Sequence, residues 1–343
     1  MIASKRMPST GYLKIWDILT VEGNGLLKLS EELWRGIACE TVADLNTMTA
    51  SGKIRELILV AEAWHEKLFV RIADMIYDRG AKAVMLAGPS SSGKTTSAHR
   101  LATQLKVLGK KPVLISLDDY YIDRDLIAPG PDGTLDLEHI NAIDIRLLRT
   151  HIGQLLSGKM VELPFFNFKT GKREWREHRI KLYPDSIILV EGLHGLNPVL
   201  LPQGLDASLI FKVYVAPQLP MNQEWIPEST LRLLRRIVRD YQTRGASVQQ
   251  TVSMWDSVRR GEKRWIFPFR EEADVCFNSA TSYELAVLKK HIVPLLKKTE
   301  SDCRVIQNIL KELDYIQEAD VDDEIPPTSL IREFIGGNVY YKK

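Results

Sequence analysis

Cysteine is scarce: Cys39, Cys276 and Cys303 are the only three in 343 residues, and none is spaced as C-x-x-C or as a metal knuckle. That excludes a disulfide scaffold and a structural zinc site, and it fits a reducing, cytoplasmic setting. Long apolar runs are missing too. No stretch approaches the roughly 20 residues of a membrane-spanning helix, and behind Lys5 and Arg6 no continuous apolar segment follows, so neither a membrane anchor nor a secretory signal is expected. An excess of one charge is also lacking. Lys plus Arg number 46 against 44 Asp plus Glu, a net charge of only +2, which argues against nucleic acid as the partner. No [NT]-K-x-D guanine-reading sequence occurs, which excludes the usual GTP switch. Repeats and low-complexity tracts are absent as well. What remains is an ordinary globular composition, 45% hydrophobic and 26% charged, enough for one large or two modest domains with ample core.

One stretch organises the rest. Gly88-Pro89-Ser90-Ser91-Ser92-Gly93-Lys94-Thr95 fits G-x-x-x-x-G-K-[ST], a loop whose backbone N–H groups curl around phosphate oxygens. The apolar run Ala83 to Ala87 before it reads as a buried strand, and Thr96 to Val107 after it as a helix closed by Gly109. Strand, glycine loop and helix together are the context the motif requires, and the helix start adds its positive end. Chance alone would place the four fixed residues about once in a hundred chains of this length, given average glycine usage. In this loop Lys94 is placed to reach the β- and γ-phosphates and Thr95 to offer its hydroxyl to Mg²⁺.

Further strands are expected at 112–117, 186–192, 209–215 and 273–278, separated by helical patterns. That alternation predicts an α/β fold, a P-loop-type parallel sheet flanked by helices. Acids stand at two strand exits: Asp118-Asp119 after the second strand, suited to metal or general-base work, and Glu191 after the third, suited to the metal. Arg232, Arg235, Arg236 and Arg239 share one helix face with Asp240 the one acid beside them, the pattern of a mobile arginine lid over transferring phosphate. Leu163 to Arg173 mixes aromatics with bases; it reads as a ligand loop or as a hairpin with a buried aromatic face and a basic tip. The basic cluster 259–264 is open between nucleotide contact and solvation. A helix from Tyr283 should break or kink near Pro294, and Val305 to Ile316 is another helical pattern. In the first 80 residues, an amphipathic helix from Ile54 to Met75 should end at Gly80, with Trp16, Trp34 and Trp64 anchoring a small core. His65 is expected to be a packing or surface residue.

Taken together, GPSSSGKTT at 88–96, ISLDDYY at 115–121, LPFFNF at 163–168, ILVEG at 188–192, RLLRRIVRD at 232–240 and ADVCFN at 273–278 resemble the uridine kinase and phosphoribulokinase family of P-loop kinases. The likeness is to a bacterial group of nucleoside kinases in which this domain follows a region similar to the N-terminal part of threonyl-tRNA synthetase. Residues 1–80 resemble only the end of that region. The resemblance implies a kinase domain over 81–300, preceded by a helical extension over 1–80 and followed by a helical extension over 301–343. It implies ATP and Mg²⁺, and a small hydroxyl-bearing acceptor, a nucleoside first of all. Self-association is left open.

By the same resemblance, Gly88, Ser90, Ser91, Ser92, Gly93, Lys94, Thr95 and Thr96 hold the ATP phosphates. Thr95, Asp118 and Glu191 form the metal site, and Asp118 takes the proton from the acceptor hydroxyl. Lys94, Arg236 and Arg239 act on the transferring phosphoryl group, with Arg244 on the nucleotide. Asp136, Phe166, Phe168, Lys169 and Arg173 belong to the acceptor side. Uridine kinases ordinarily carry a tyrosine and a histidine that read the pyrimidine; Phe166 and Gly171 stand in the corresponding places here. Losing those polar groups shifts selectivity by orders of magnitude, while Lys169, Lys172 and Arg173 suit a charged acceptor. Two other readings stay open: a kinase for another sugar, polyol or sugar phosphate, and a regulatory or RNA-associated P-loop ATPase.

Overall fold

The computed structural model describes residues 41–130, 136–219, 227–299 and 303–340, together with Cys39 and the short backbone pairing of 21–22 with 25–26. Trp16 and Trp34 lie outside the described residues.

Five parallel strands form the central sheet: β1 (Ala83–Ala87), β2 (Lys111–Ser116), β5 (Ser186–Glu191), β6 (Ile210–Ala216) and β7 (Val275–Asn278). Their spatial order is β2-β5-β1-β6-β7. Every residue of β1 and β5 is buried, as expected of strands covered on both faces. Alternation sorts their side chains. Val84 and Leu86 face helix α3 (Lys94–Val107) and the second half of α2 (Ile54–Arg79), whereas Ala83 and Met85 face α4 (Ile145–Leu156). From β1 the chain moves outward to β2, returns through β5, and crosses β1 to reach β6. The crevice for a ligand opens at the carboxyl ends on either side of such a reversal. That is where the Gly88–Thr95 loop, Asp118 and Glu191 emerge.

The aromatic stretch is a hairpin, β3 (Val161–Asn167) against β4 (Lys172–Ile180). Gly171 closes its turn at φ 71°, and a Cβ there would lie 2.9 Å from that of Arg124, so this position excludes any side chain.

Helix α2 runs 26 residues and belongs to two cores. Ile54, Leu57, Ile58 and Ala61 pack into a helical cluster with α5 (Glu228–Arg244), α7 (Glu284–Lys297) and α8 (Arg304–Asp314). Leu68, Phe69, Ile72 and Ile76 pack onto the sheet, and Trp64 is partly buried at that edge. Ahead of it, α1 (Val42–Ala50) starts with a capping box between Thr41 and Asp44. His65 is a packing histidine: it is buried, its Nε2–H donates to the Ala280 carbonyl at 3.2 Å, and burial drives its pKa down to about 3. Two expectations need correction. Of the expected break or kink at Pro294, the break does not occur: helix α7 continues through it to Lys297, because the proline sits near its end and Ile292 and Leu296 pin the last turn to the core. Helix α6 (Val248–Trp265) was not anticipated; the basic cluster 259–264 falls in its last two turns. Among the described residues no helix is long and apolar enough to cross a membrane.

Phe69 is buried against Phe277, 4.5 Å between ring centroids, and lies under the Arg100 guanidinium. Phe69→Ala should cost about 3–5 kcal/mol, read as a lower urea midpoint with an unchanged slope.

Candidate active site

The curl of the Gly88–Thr95 loop is fixed from behind. Ser279 Oγ donates to the Ser92 carbonyl at 2.5 Å, Arg235 Nη1 to that of Ser91 at 3.4 Å, and Arg232 Nη1 to that of Ser90 at 3.2 Å. Glu262 accepts the Ser90 N–H at 2.9 Å. The two arginines are themselves held by buried carboxylates. Arg232 donates twice to Glu262, at 2.6 and 2.9 Å, and Arg235 pairs with Glu284. Gly88 is dictated by space: a Cβ there would fall 2.0 Å from the Val215 carbonyl oxygen. Gly93 at φ 85° and Ser91 at φ 59° complete the bend.

In front of the loop lies a cavity of about 630 Å³. Ser90, Ser91, Lys94 and Thr95 line it from the loop, Asp118 and Tyr121 from the end of β2, Glu191 from β5, and Arg236, Arg239 and Arg244 from α5. Ser91 Oγ is buried there without a hydrogen-bond partner. Lys94 Nζ donates to the Pro89 carbonyl at 3.0 Å. Burial lowers the pKa of its ammonium, while Glu191, Asp118 and Glu333 act in the opposite sense.

Ser116, the last residue of β2, ties the two acids together: its hydroxyl donates to Glu191 Oε1 at 2.8 Å and accepts the Asp118 N–H at 3.3 Å. Thr95 Oγ1 donates to Glu191 Oε2 at 3.4 Å. Burial and the Asp118 charge push the Glu191 carboxyl up to about 7. Of the adjacent pair only Asp118 faces the cavity. Asp119 points into a separate cleft, where it accepts the Phe166 N–H at 3.3 Å.

The arginine helix divides into two functions. Arg232 and Arg235 are buried behind the loop, so α5 is a packed element and no free arm. Arg236, Arg239 and Arg244 reach the cavity, gathered by one carboxylate, Asp240, at 3.3, 2.8 and 3.5 Å. Like charge from Arg239, then burial, lowers Arg244 to about 10. Three guanidiniums on one carboxylate leave a positive wall suited to an anion. Arg236 Nη1 also donates to Ser90 Oγ at 2.8 Å.

On the acceptor side, Phe168 lines the cavity, while Phe166 is buried behind it with centroid spacings of 5.0 Å to Phe168 and 5.5 Å to Tyr121. Lys169 is exposed at the hairpin tip and Asp136 is half-buried; neither lines the cavity. Arg173 is turned away, donating to Asp144 at 2.9 Å and to the Tyr121 carbonyl at 3.2 Å. The acid that does face the cavity from this segment is Glu138. Its Oε2 is buried without a partner, and burial, opposed by Arg236, pushes it up to about 7. Sequence reasoning passed over Glu138, Ser116, Tyr121 and Glu262; only Tyr121 and Ser116 sit inside a recognisable motif. It also passed over Glu333, whose Oε2 accepts the N–H of Thr96 at 3.2 Å and the hydroxyl at 2.7 Å.

A parallel sheet with a phosphate-cradling loop at its reversal, two acids at adjoining strand tips and an arginine wall defines a P-loop nucleotide-binding protein built for phosphoryl chemistry. The chain belongs to the Phosphoribulokinase / Uridine kinase family, whose model matches residues 83–286. It is 31% identical over 191 residues to a uridine kinase of Brevibacillus brevis, covering 55% of this chain and 81% of that one. To a uridine kinase of Halobacterium salinarum it is 28% identical over 212 residues, 61% and 86% of the two chains. The solved D-glycerate 3-kinase of Cryptococcus neoformans matches with a TM-score of 0.41 and 15% identity, covering 58% of this chain and 87% of that one.

Gly88→Ala would drive a Cβ into backbone that cannot yield. The substitution should cost about 1–3 kcal/mol of stability and abolish nucleotide binding, measured by thermal melting with and without ATP.

Proposed function

We propose that this chain transfers the γ-phosphate of ATP to a hydroxyl of a small acceptor, a nucleoside 5′-hydroxyl in the first instance. The observation that carries the reading is convergence: Lys94, Asp118, Glu191, Arg236, Arg239 and Arg244 reach one cavity from four separate elements.

The donor set fits Mg²⁺. Thr95, Asp118 and Glu191 offer hard oxygens and no nitrogen or sulfur, which suits a cation that takes its other ligands from phosphate and water. When bound, the ion supplies positive charge beside the transferring phosphate. The protein's own groups do the rest. Asp118 takes the hydroxyl proton, Lys94 and the three arginines balance the charge spreading over the phosphoryl oxygens, and Glu138 accepts hydrogen bonds from acceptor hydroxyls. The fixed loop keeps these groups in register, so little reorganisation accompanies transfer.

A second acceptor class, another sugar, polyol or sugar phosphate, is favoured by one feature: Gly171 and the buried Phe166 present no polar group to a base. A panel of nucleosides, sugars and sugar phosphates, with ATP consumption as readout, separates the two. Acceptor-independent hydrolysis stimulated by RNA would instead favour a P-loop ATPase of another role.

Lys94→Ala and Asp118→Asn should each lower kcat by about 10²–10⁴-fold; near-normal turnover of Asp118→Asn would remove the base assignment. At saturating ATP the acceptor KM should fall as pH rises through about 7, because Glu138 binds hydroxyls best as a carboxylate. In Glu138→Gln the KM should be high and flat across that range.

A further inference from the structure

The segment from Ser329 to Tyr340 runs over the start of α3 and closes one side of the cavity. It is well anchored. Ser329 Oγ donates to buried Glu62 at 2.6 Å, Leu330 packs 3.6 Å from where a Gly93 Cβ would sit, and the Arg235 guanidinium lies over the Phe334 ring at 4.8 Å. Beyond it, the Tyr340 ring stacks on His99 at 5.0 Å, 9° between planes. Between these anchors one short helix, α9 (Arg332–Ile335), presents Glu333 to the cavity.

Glu333 has an unusual seat. Its Oε2 takes both the backbone N–H and the hydroxyl of Thr96, and Asn338 Nδ2 donates to the same hydroxyl at 3.3 Å. Thr96 is the third residue of α3, where the N–H has no partner inside the helix and the helix end is positive. It directly follows Lys94 and Thr95. An anion extending along the phosphate loop meets these donors, and a carboxylate oxygen is held there as a phosphate oxygen would be. Both cannot occupy the seat: two anions sharing one pair of donors repel, most strongly where water is excluded.

We propose that Glu333 is an internal competitor for the donor's phosphates: it holds the Thr96 seat when no nucleotide is present and must leave for ATP to bind fully. The proposal rests on the ATP-binding reading above. It makes ATP affinity a balance between two anions for one set of donors, with the Glu333 side chain returning to the Thr96 seat once the phosphates are released.

The test is nucleotide binding by titration calorimetry on the full chain, in wild type, Glu333→Gln and Glu333→Ala, with MgATP, inorganic tripolyphosphate and adenosine as ligands and Lys94→Ala as control. Glu333→Gln keeps the shape of the strap and removes its charge. Both Glu333 variants should bind MgATP and tripolyphosphate about tenfold more tightly, the scale of one lost charge-assisted contact, with adenosine binding unchanged. Unchanged or weakened MgATP binding in Glu333→Gln, at a wild-type melting temperature, overturns the competitor role; weakening would make Glu333 a ligand of the nucleotide. Should Lys94→Ala bind MgATP as wild type does, the ATP-site reading fails; loss in Lys94→Ala with no change in Glu333→Gln sinks only the competitor.

Discussion

The structure depends on two buried ion pairs behind a loop. Arg232 with Glu262 and Arg235 with Glu284 stand where water cannot reach, and each arginine spends a further N–H on a carbonyl of the phosphate loop. A buried pair of this kind adds little net stability against an apolar substitute. Its effect is geometric. A guanidinium that has lost its carboxylate would be a lone buried charge costing about 3–5 kcal/mol, so the loop carbonyls meet their donors only when the helices α5, α6 and α7 are all docked. The shape that receives phosphate is thereby made conditional on the packing of the helical layer.

That arrangement explains a division of labour along one helix. Arginines spaced three and four apart share a face, yet the face curves from the core toward the cavity. Arg232 and Arg235 sit on the inner part, the first paired with Glu262 and Glu228 and the second with Glu284. Arg236 and Arg239, joined by Arg244, sit on the outer part, where the one carboxylate of Asp240 bridges all three. On the cavity side the guanidiniums thus outnumber the carboxylate that gathers them, while the chain as a whole stays near neutrality.

Much of this was legible in the sequence, and for physical reasons. Buried parallel strands are short apolar runs, and a glycine loop between strand and helix has few other uses, so β1, β2, β5, β6 and the loop were readable, as were Asp118 and Glu191 at strand exits. The family resemblance supplied the roles. Side chains whose meaning comes from distant partners were not readable. Glu262 meets Ser90 across 172 positions and Glu333 meets Thr96 across 237; on their own each is one more surface-type glutamate. Glu138 lies two residues beyond Asp136, and only the fold decides which of them turns inward. Arg173, read as a base for a charged acceptor, is consumed by Asp144, since a hairpin's basic tip finds the nearest acid.

Helix α2 carries one more implication. Midway along it, Glu62 accepts hydrogen bonds from Tyr283 and Ser329, both at 2.6 Å, and lies 3.5 Å from Arg100 of α3. A single carboxylate therefore rivets the leading rod to the start of α7, to the closing strap and to the helix that the phosphate loop feeds. Removing that one carboxylate would loosen three seams at once: the strap, the entry to α7, and the helix that follows the phosphate loop.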